Sequence, residues 1–167
     1  DVADDEAGGP VDSDGARAVE KAPTGDYVLR DRKSIYADDD EDSVVVMYLT
    51  VRRGNSGEST DHTWEEVNAH SKYWYEEQGV AQYACEAILQ IGDETGPLPE
   101  ELGYTALAPN ATVKIRGQSS TYYSQKNYKI SLKKGKGSWR DQTVINLNKH
   151  QQEGMRFRNK LAFDLLK

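Results

Sequence analysis

The clearest alternation of apolar and polar residues in this chain runs from Val113 to Leu132. Two stretches with a period of two, typical of half-buried strands, flank a loop that begins at Gly117 and is rich in hydroxyl and amide groups. The apolar positions of the two strands are Val113, Ile115, Tyr128, Ile130 and Leu132. By the same parity, Lys126 lies on the apolar face of the second strand. The pattern predicts strand, polar loop, strand, with a lysine at the mouth of an apolar face.

Three other segments predict further strands. Ser43–Arg53 is an almost continuous apolar run, which predicts a central strand covered on both faces. Residues Tyr83 to Ile91 alternate and place Cys85 on the apolar face, where we expect a buried, unreactive thiol. Thr143–Asn148 predicts a short strand.

Two helices are predicted, one near the middle of the chain and one at its end. The first begins with a capping box at Thr63–Glu66 and continues with Trp64, Val67, Ser71 and Trp74 on one face. The second runs from Glu153 to Lys167, with Phe157, Leu161 and Leu165 in one stripe. Between strands, Gly92–Pro109 predicts a loop with a short helical turn near Pro99–Leu102. The predicted fold class is therefore α+β, with a mixed sheet of about four or five strands and a central and a C-terminal helix.

The domain organisation follows from composition. The 167 residues allow one domain of ordinary size. Residues 1–40 are rich in Asp, Ala and Gly and carry few large apolar side chains, which predicts a disordered acidic tail or linker. Residues 41–167 form the predicted domain. Because nothing caps the last helix, we expect the chain to stop inside that domain.

The net charge of −7 is unevenly distributed. Residues 1–42 have a net charge of −9 and residues 43–112 of −8, whereas residues 113–167 have a net charge of +10. Such asymmetry predicts either an anionic partner or internal pairing between the basic and acidic parts. The negative total argues against nucleic-acid binding.

Several other site classes are excluded or disfavoured. No apolar run approaches the roughly 20 residues that span a membrane, so no transmembrane segment is predicted. The single Cys85 excludes a disulfide framework and a multi-cysteine zinc site. His62 and His70 lack a third ligand, so no metal site is predicted. Asn110-Ala111-Thr112 fits a glycosylation sequon, but this matters only in a eukaryotic secretory setting.

The basic part of the chain has the chemistry of a phosphate site. Arg116, Lys126, Arg158 and Lys160 supply positive charge, Gly117 allows close approach of backbone, and Ser119, Ser120 and Thr121 offer hydroxyl donors. Each residue also has a simpler interpretation. The arginines can pair with the acidic part, Lys126 can extend from a strand end to solvent, and the hydroxyls can satisfy a turn.

Two motifs resemble the CotH family, the spore coat protein H-like atypical kinases. Arg116-Gly117-Gln118-Ser119-Ser120 and Lys126-Asn127-Tyr128-Lys129-Ile130-Ser131-Leu132 are similar to the family's Arg-Gly-Asn-Ser-Ser and Lys-Ser-Tyr-Arg/Lys-Ile-Lys-Leu patterns. Asn146-Leu147-Asn148 and Arg158-Asn159-Lys160-Leu161-Ala162-Phe163-Asp164-Leu165 resemble a later family segment. The resemblance covers residues 112–167 well. Gln118 replaces the usual Asn, and Ser124-Gln125 stands where Pro-Lys is common.

The resemblance implies the amino-terminal part of an atypical protein kinase domain that uses ATP and a divalent metal such as Mg²⁺. Carried over by position, its ATP-binding residues are Arg116, Gly117, Ser119, Ser120, Lys126, Arg158 and Asn159. The implied substrates are Ser/Thr hydroxyls of exported or coat proteins, and the implied location is secreted, on the cell surface or in the spore coat of a bacterium. The family's catalytic and metal-binding carboxylates would lie in a missing C-terminal part of the same domain, so this fragment alone is expected to be inactive.

A second functional hypothesis needs no catalysis. In it the chain is an extracellular binding or scaffold module whose basic face docks an acidic partner or a polysaccharide. Trp64, Tyr73, Trp74 and Tyr75 would suit sugar stacking if exposed, but their helical spacing favours the core.

Overall fold

An antiparallel sheet is the main element of the structure, a computed structural model that describes residues 44–149. The strands are β1 (Val46–Arg52), β2 (Cys85–Asp93), β3 (Gly96–Pro97), β4 (Ala111–Arg116), β5 (Asn127–Leu132) and β6 (Val144–Leu147). The helices are α1 (Trp64–Ala69) and α2 (Lys72–Gln78), with short 3-10 helices at Ser56–Glu58 and Ser119–Tyr122. The α+β class is confirmed. The predicted tail over residues 1–40 and the predicted helix from Glu153 to Lys167 lie outside the described residues.

The strand order is β1-β2-β4-β5-β6, and the short strand β3 also pairs with β2 but is not part of this order. Every strand pair within residues 44–149 is antiparallel, so the prediction of a mixed sheet is wrong. Alternation along a strand reports which faces are buried but not the direction of its neighbour. The directions of the strands could therefore not be predicted from the sequence pattern.

Among the strands of residues 44–149, the first strand lies at an edge, not at the centre as predicted. Within the described part of the chain β1 pairs only with β2, from Val46 opposite Gly92 to Arg52 opposite Glu86. Alternate residues of β1, namely Met47, Leu49 and Val51, pack against the core. Tyr48 lies on the other face of β1, where it is partly buried and its hydroxyl donates to the Asp93 carbonyl at 2.6 Å.

The register separates an apolar face of the sheet from a polar one. Directly opposed residues share a face, so Val113 with Ile130, and Ile115 with Tyr128, belong to the apolar face. Its buried apolar residues are Cys85, Ala87, Leu89, Ile91, Ala111, Val113, Ile115, Ile130, Leu132 and Ile145. The strands predicted over Val113–Leu132 and Thr143–Asn148 are thus confirmed, with the apolar positions on the buried side.

The predicted central helix is two short helices. The capping box at Thr63 is confirmed: the Thr63 N–H donates to the Glu66 carboxylate at 2.7 Å, and the Glu66 N–H donates to the Thr63 hydroxyl at 3.2 Å. Ser71, predicted on the buried face, instead caps α2 by accepting from the Trp74 N–H at 3.3 Å. A serine hydroxyl competes with the helix for backbone groups and favours a cap, which is where the long helix breaks. Trp64 stacks on Tyr128 at 4.9 Å, so α1 lies over the apolar face.

The buried thiol predicted on the second strand is confirmed, whereas the loop that follows differs in detail from the prediction. Cys85 is fully buried, as predicted, and burial raises the pKa of its thiol to about 11, which keeps it neutral. The loop after Gly92 opens with the short strand β3, and Pro99–Leu102 forms hydrogen-bonded turns in place of the predicted helical turn.

Candidate functional site

The candidate site is the loop of residues 117–126, which joins the antiparallel strands β4 and β5. The last pair of the ladder, Arg116 opposite Asn127, closes its base. The 3-10 helix Ser119–Tyr122 forms its centre. The strand, loop, strand arrangement predicted from the alternation is therefore confirmed, and the loop has ordered internal bonds.

Gly117 is required by the backbone at the start of the loop. Its φ of +97° lies in a region that side-chain-bearing residues rarely adopt, and a Cβ built there would lie 2.1 Å from the Ser120 Oγ. The Ser120 hydroxyl in turn donates to the Arg116 carbonyl at 3.2 Å. The glycine thus allows a tight turn immediately after β4.

Replacing Gly117 with alanine should lower the free energy of unfolding by about 1–2 kcal/mol from backbone strain, with a further loss from the collision with Ser120. Gly135→Ala is the matched control, because Gly135 has a φ of +75° but no atom within 4 Å of its Cβ position. Urea unfolding of both variants separates strain from collision. Equal losses would show that the contact with Ser120 is unimportant.

Of the three hydroxyls predicted as donors, Ser119, Ser120 and Thr121, two are engaged within the loop. Thr121 is fully buried; its hydroxyl donates to the Gln118 carbonyl at 2.6 Å and accepts from the Lys72 N–H at 3.0 Å, which ties the loop to α2. The turn interpretation thus holds for Ser120 and Thr121. Ser119 is exposed and has no hydrogen-bond partner among residues 44–149, so its hydroxyl can meet a ligand.

Lys126 is held at the other end of the loop. Its ammonium donates to the Thr121 carbonyl at 2.5 Å, on the side of the loop that contacts α2. Partial burial lowers the pKa of this lysine from its usual value, because desolvation disfavours the charged form. An ammonium carries three donors, and the others have no partner within the described residues. Lys126 is therefore a partly desolvated cation with donors to spare.

Arg116 lies on the polar face of the sheet, opposite Asn127. Its guanidinium donates to the Asn148 side-chain oxygen at 2.6 Å, and Asn127 accepts from the Lys149 N–H at 2.7 Å. The Asn148 amide is neutral, so the charge of Arg116 is not neutralised by a carboxylate within residues 44–149. The predicted pairing of this arginine with the acidic part is absent there.

The structure groups the predicted site residues unevenly. Gly117, Ser119 and Ser120 are in the loop with Lys126, whereas the guanidinium of Arg116 reaches the end of β6 on the other face. Arg158 and Asn159 lie outside the described residues.

Two residues of the site were not assigned from the sequence: Thr121, which bridges the loop to α2, and Asn148, which contacts Arg116. The Asn-Leu-Asn motif was a signal for Asn148, while nothing in the local pattern marked Thr121 as buried.

The histidines and tryptophans have packing roles. His62 stacks on Tyr83 and His70 on Trp74, each with ring centroids 3.6 Å apart. No group of three or more His, Cys, Asp or Glu residues that could hold a metal ion is found in the part of the chain that the structure describes. Sugar stacking on Trp64 or Trp74 is disfavoured, since both pack against the core.

Residues 113–167 match the family model described as CotH kinase protein. The match begins in β4 and includes the whole loop, so the resemblance drawn from the two motifs is confirmed over this part of the chain. Searches among curated proteins and among solved structures gave no significant match. Over residues 44–149, no helix has the length and apolar character needed to cross a membrane.

Proposed function

We propose that this chain contributes the ATP phosphate-binding loop of a CotH-type atypical protein kinase. The observation that carries the proposal is the coincidence of the family match with an ordered, cation-bearing loop: residues 113–167 match, and the loop of residues 117–126 lies at the start of that region. Kinase activity requires positioned positive charge and donors around the ATP phosphates. The loop offers both.

Each loop residue has a distinct task in this proposal. Lys126 supplies charge through the ammonium donors that Thr121 leaves unused. Ser119 supplies an exposed hydroxyl, and Gly117 lets the backbone approach a phosphate closely. Arg116 adds positive charge from the far side of the loop. Arg158 and Asn159 are proposed to join the site on the strength of the family resemblance.

The described residues do not account for a whole kinase site. A divalent metal such as Mg²⁺ would neutralise charge on the ATP phosphates, yet residues 44–149 offer no cluster of carboxylates or histidines to hold it. The carboxylates that bind the metal and orient the acceptor hydroxyl are proposed to lie elsewhere in the intact protein. We further propose exported or spore-coat proteins as substrates and a bacterial surface, secreted or coat location, on the resemblance alone.

Replacing Lys126 with alanine in the intact protein should weaken ATP binding about 10- to 100-fold, the effect of losing a charged hydrogen bond. The measurement is a titration with ATP and Mg²⁺ by calorimetry. Lys134→Ala is the matched control, because Lys134 is an exposed lysine of the turn after β5.

The thermal midpoint of each variant is measured in parallel, since Lys126 also ties the loop together through Thr121. Unchanged ATP affinity in Lys126→Ala, with a folded variant, would remove Lys126 from the site. An equal loss in Lys134→Ala would show that general charge, not the loop, sets the affinity.

A further inference from the structure

The polar face of the sheet carries three cations without carboxylate partners. Lys114 on β4 lies directly opposite Lys129 on β5, and Arg116 follows two residues further along β4 on the same face. Among residues 44–149, neither lysine side chain makes a hydrogen bond or ion pair, and the Arg116 guanidinium bonds only the neutral Asn148. Like charges placed directly opposite each other on a sheet are destabilising.

Other cations on this face are neutralised. Arg52 and Lys133 both contact the Glu86 carboxylate, at 3.0 and 2.8 Å, and Lys133 also pairs with Glu58 at 2.5 Å. On this face of the sheet, a single residue pair of the β4–β5 ladder, Thr112 and Ser131, separates Lys114 and Lys129 from this network. The free charges are therefore a local feature of one patch, which we name the lysine patch (Lys114, Lys129 and Arg116).

The geometry of the lysine patch indicates the shape of its ligand. Alternate residues of a strand are about 6.6–6.8 Å apart, so Lys114 and Arg116 present positive charge at the spacing of alternate side chains in an extended peptide. Hydroxyl and amide side chains flank the cations on the same face, at Ser131 and Asn146. Both can bond a peptide backbone.

Charge selects a short anionic ligand over a long one. The chain has a net charge of −7, and residues 43–112 alone have a net charge of −8. Toward Thr112 and Ser131 the next cations on this face, Arg52 and Lys133, are already paired with a carboxylate, so a nucleic acid extending in that direction would gain no further charge contact, whereas a few carboxylates would meet only the unpaired cations.

We propose that the lysine patch docks an extended acidic segment of a partner protein, with carboxylates on alternate residues. The lysines engage carboxylates across the two strands, and Arg116 engages the next one along. This goes beyond the proposed ATP site, because Lys114 and Lys129 have no role in that site and lie on the opposite sheet face from Ile115 and Tyr128; Arg116 is common to both proposals. Docking would position a partner whether or not the chain phosphorylates it.

The test is a fluorescence anisotropy titration of the full chain with a labelled peptide of alternating Asp and Thr. Lys129→Glu and Lys114→Glu should each weaken binding at least about tenfold, as expected when a charged contact is lost and a repulsive one gained. Lys134→Glu, on the exposed turn after β5, should change it less than about twofold. A peptide of the same composition with its aspartates in one block should bind more weakly than the alternating one.

A thermal melt separates docking from a structural role. Lys129→Glu replaces a repulsive cross-strand pair by an attractive one, so its thermal midpoint should equal or exceed that of the parent chain. Peptide binding that survives in both patch variants, or falls equally in Lys134→Glu, overturns the proposal. So does tighter binding of a single-stranded oligonucleotide with the same number of charges, which would show an unselective polyanion surface.

Discussion

Replacing Asn110 with alanine should lower the free energy of unfolding by about 2–4 kcal/mol, because two buried hydrogen bonds lose their partner at once. The Asn110 side chain accepts from the Leu89 N–H and donates to the Leu89 carbonyl, both at 2.8 Å. Its own backbone N–H donates to the Ala87 carbonyl, and its carbonyl accepts from the Lys133 N–H. Asn110 is 4% exposed, so water cannot replace the lost bonds without opening the sheet.

The position of Asn110 explains why its side chain matters. The pairing of β2 with β4 runs only from Cys85 opposite Val113 to Ala87 opposite Ala111, and beyond it the backbone of β2 needs another partner. The Asn110 amide takes the place of the next peptide group along β4. It also holds the end of the preceding loop, where a Cβ on Gly103 would lie 2.1 Å from the Leu89 carbonyl oxygen.

Two further variants test this explanation by urea unfolding. Asn110→Asp keeps an acceptor for the Leu89 N–H but points a second oxygen at the Leu89 carbonyl, so it should be destabilised at least as much as Asn110→Ala at neutral pH. Asn146→Ala, at an exposed asparagine of β6, should change the stability by less than about 0.5 kcal/mol. A loss below 1 kcal/mol in Asn110→Ala would show that water or another group satisfies Leu89.

Local patterns predicted the local structure well. The period of two over Val113–Leu132 gave the correct strands and the correct buried positions, because each buried side chain belongs to the same face of one strand. The capping box at Thr63 was read correctly for a similar reason: both of its bonds join residues three apart. The candidate loop was likewise visible as a break in alternation at Gly117.

Contacts between residues far apart in the chain could not be predicted from the sequence pattern. Asn110 was read as part of a glycosylation sequon, although its amide is buried against a strand 21 residues earlier in the chain. Thr121 looked like a free hydroxyl, but Lys72, 49 residues away, uses it. The edge position of β1 could not be inferred either, since an apolar run describes a strand and not the number of its neighbours.

Glu86→Gln should lower the free energy of unfolding at neutral pH by about 1–3 kcal/mol, because it removes the buried carboxylate that Arg52 and Lys133 share. Glu86 is 5% exposed and accepts from Arg52 at 3.0 Å and from Lys133 at 2.8 Å. The Arg52 side chain is largely exposed, so solvent screens its charge, and Lys133 keeps its contact with the Glu58 carboxylate; both effects limit the loss. Glu77→Gln, at an exposed glutamate of α2, is the control and should be nearly neutral.

The pH dependence of stability tests whether the ion pairs of Glu86 cause the loss in Glu86→Gln. Hydrogen bonds from Lys133, and then from Arg52, hold the pKa of the Glu86 carboxyl below its usual range, against the opposing effect of burial. A carboxyl whose pKa is lowered by folding contributes stability above its unfolded pKa and loses it as the pH falls through its folded pKa. The stability difference between the parent chain and Glu86→Gln should therefore be constant near pH 7 and shrink below about pH 4.5. Urea unfolding from pH 7 to pH 3 measures this difference. A difference that stays constant across that range would assign the loss to the geometry of the glutamine and not to the ion pairs.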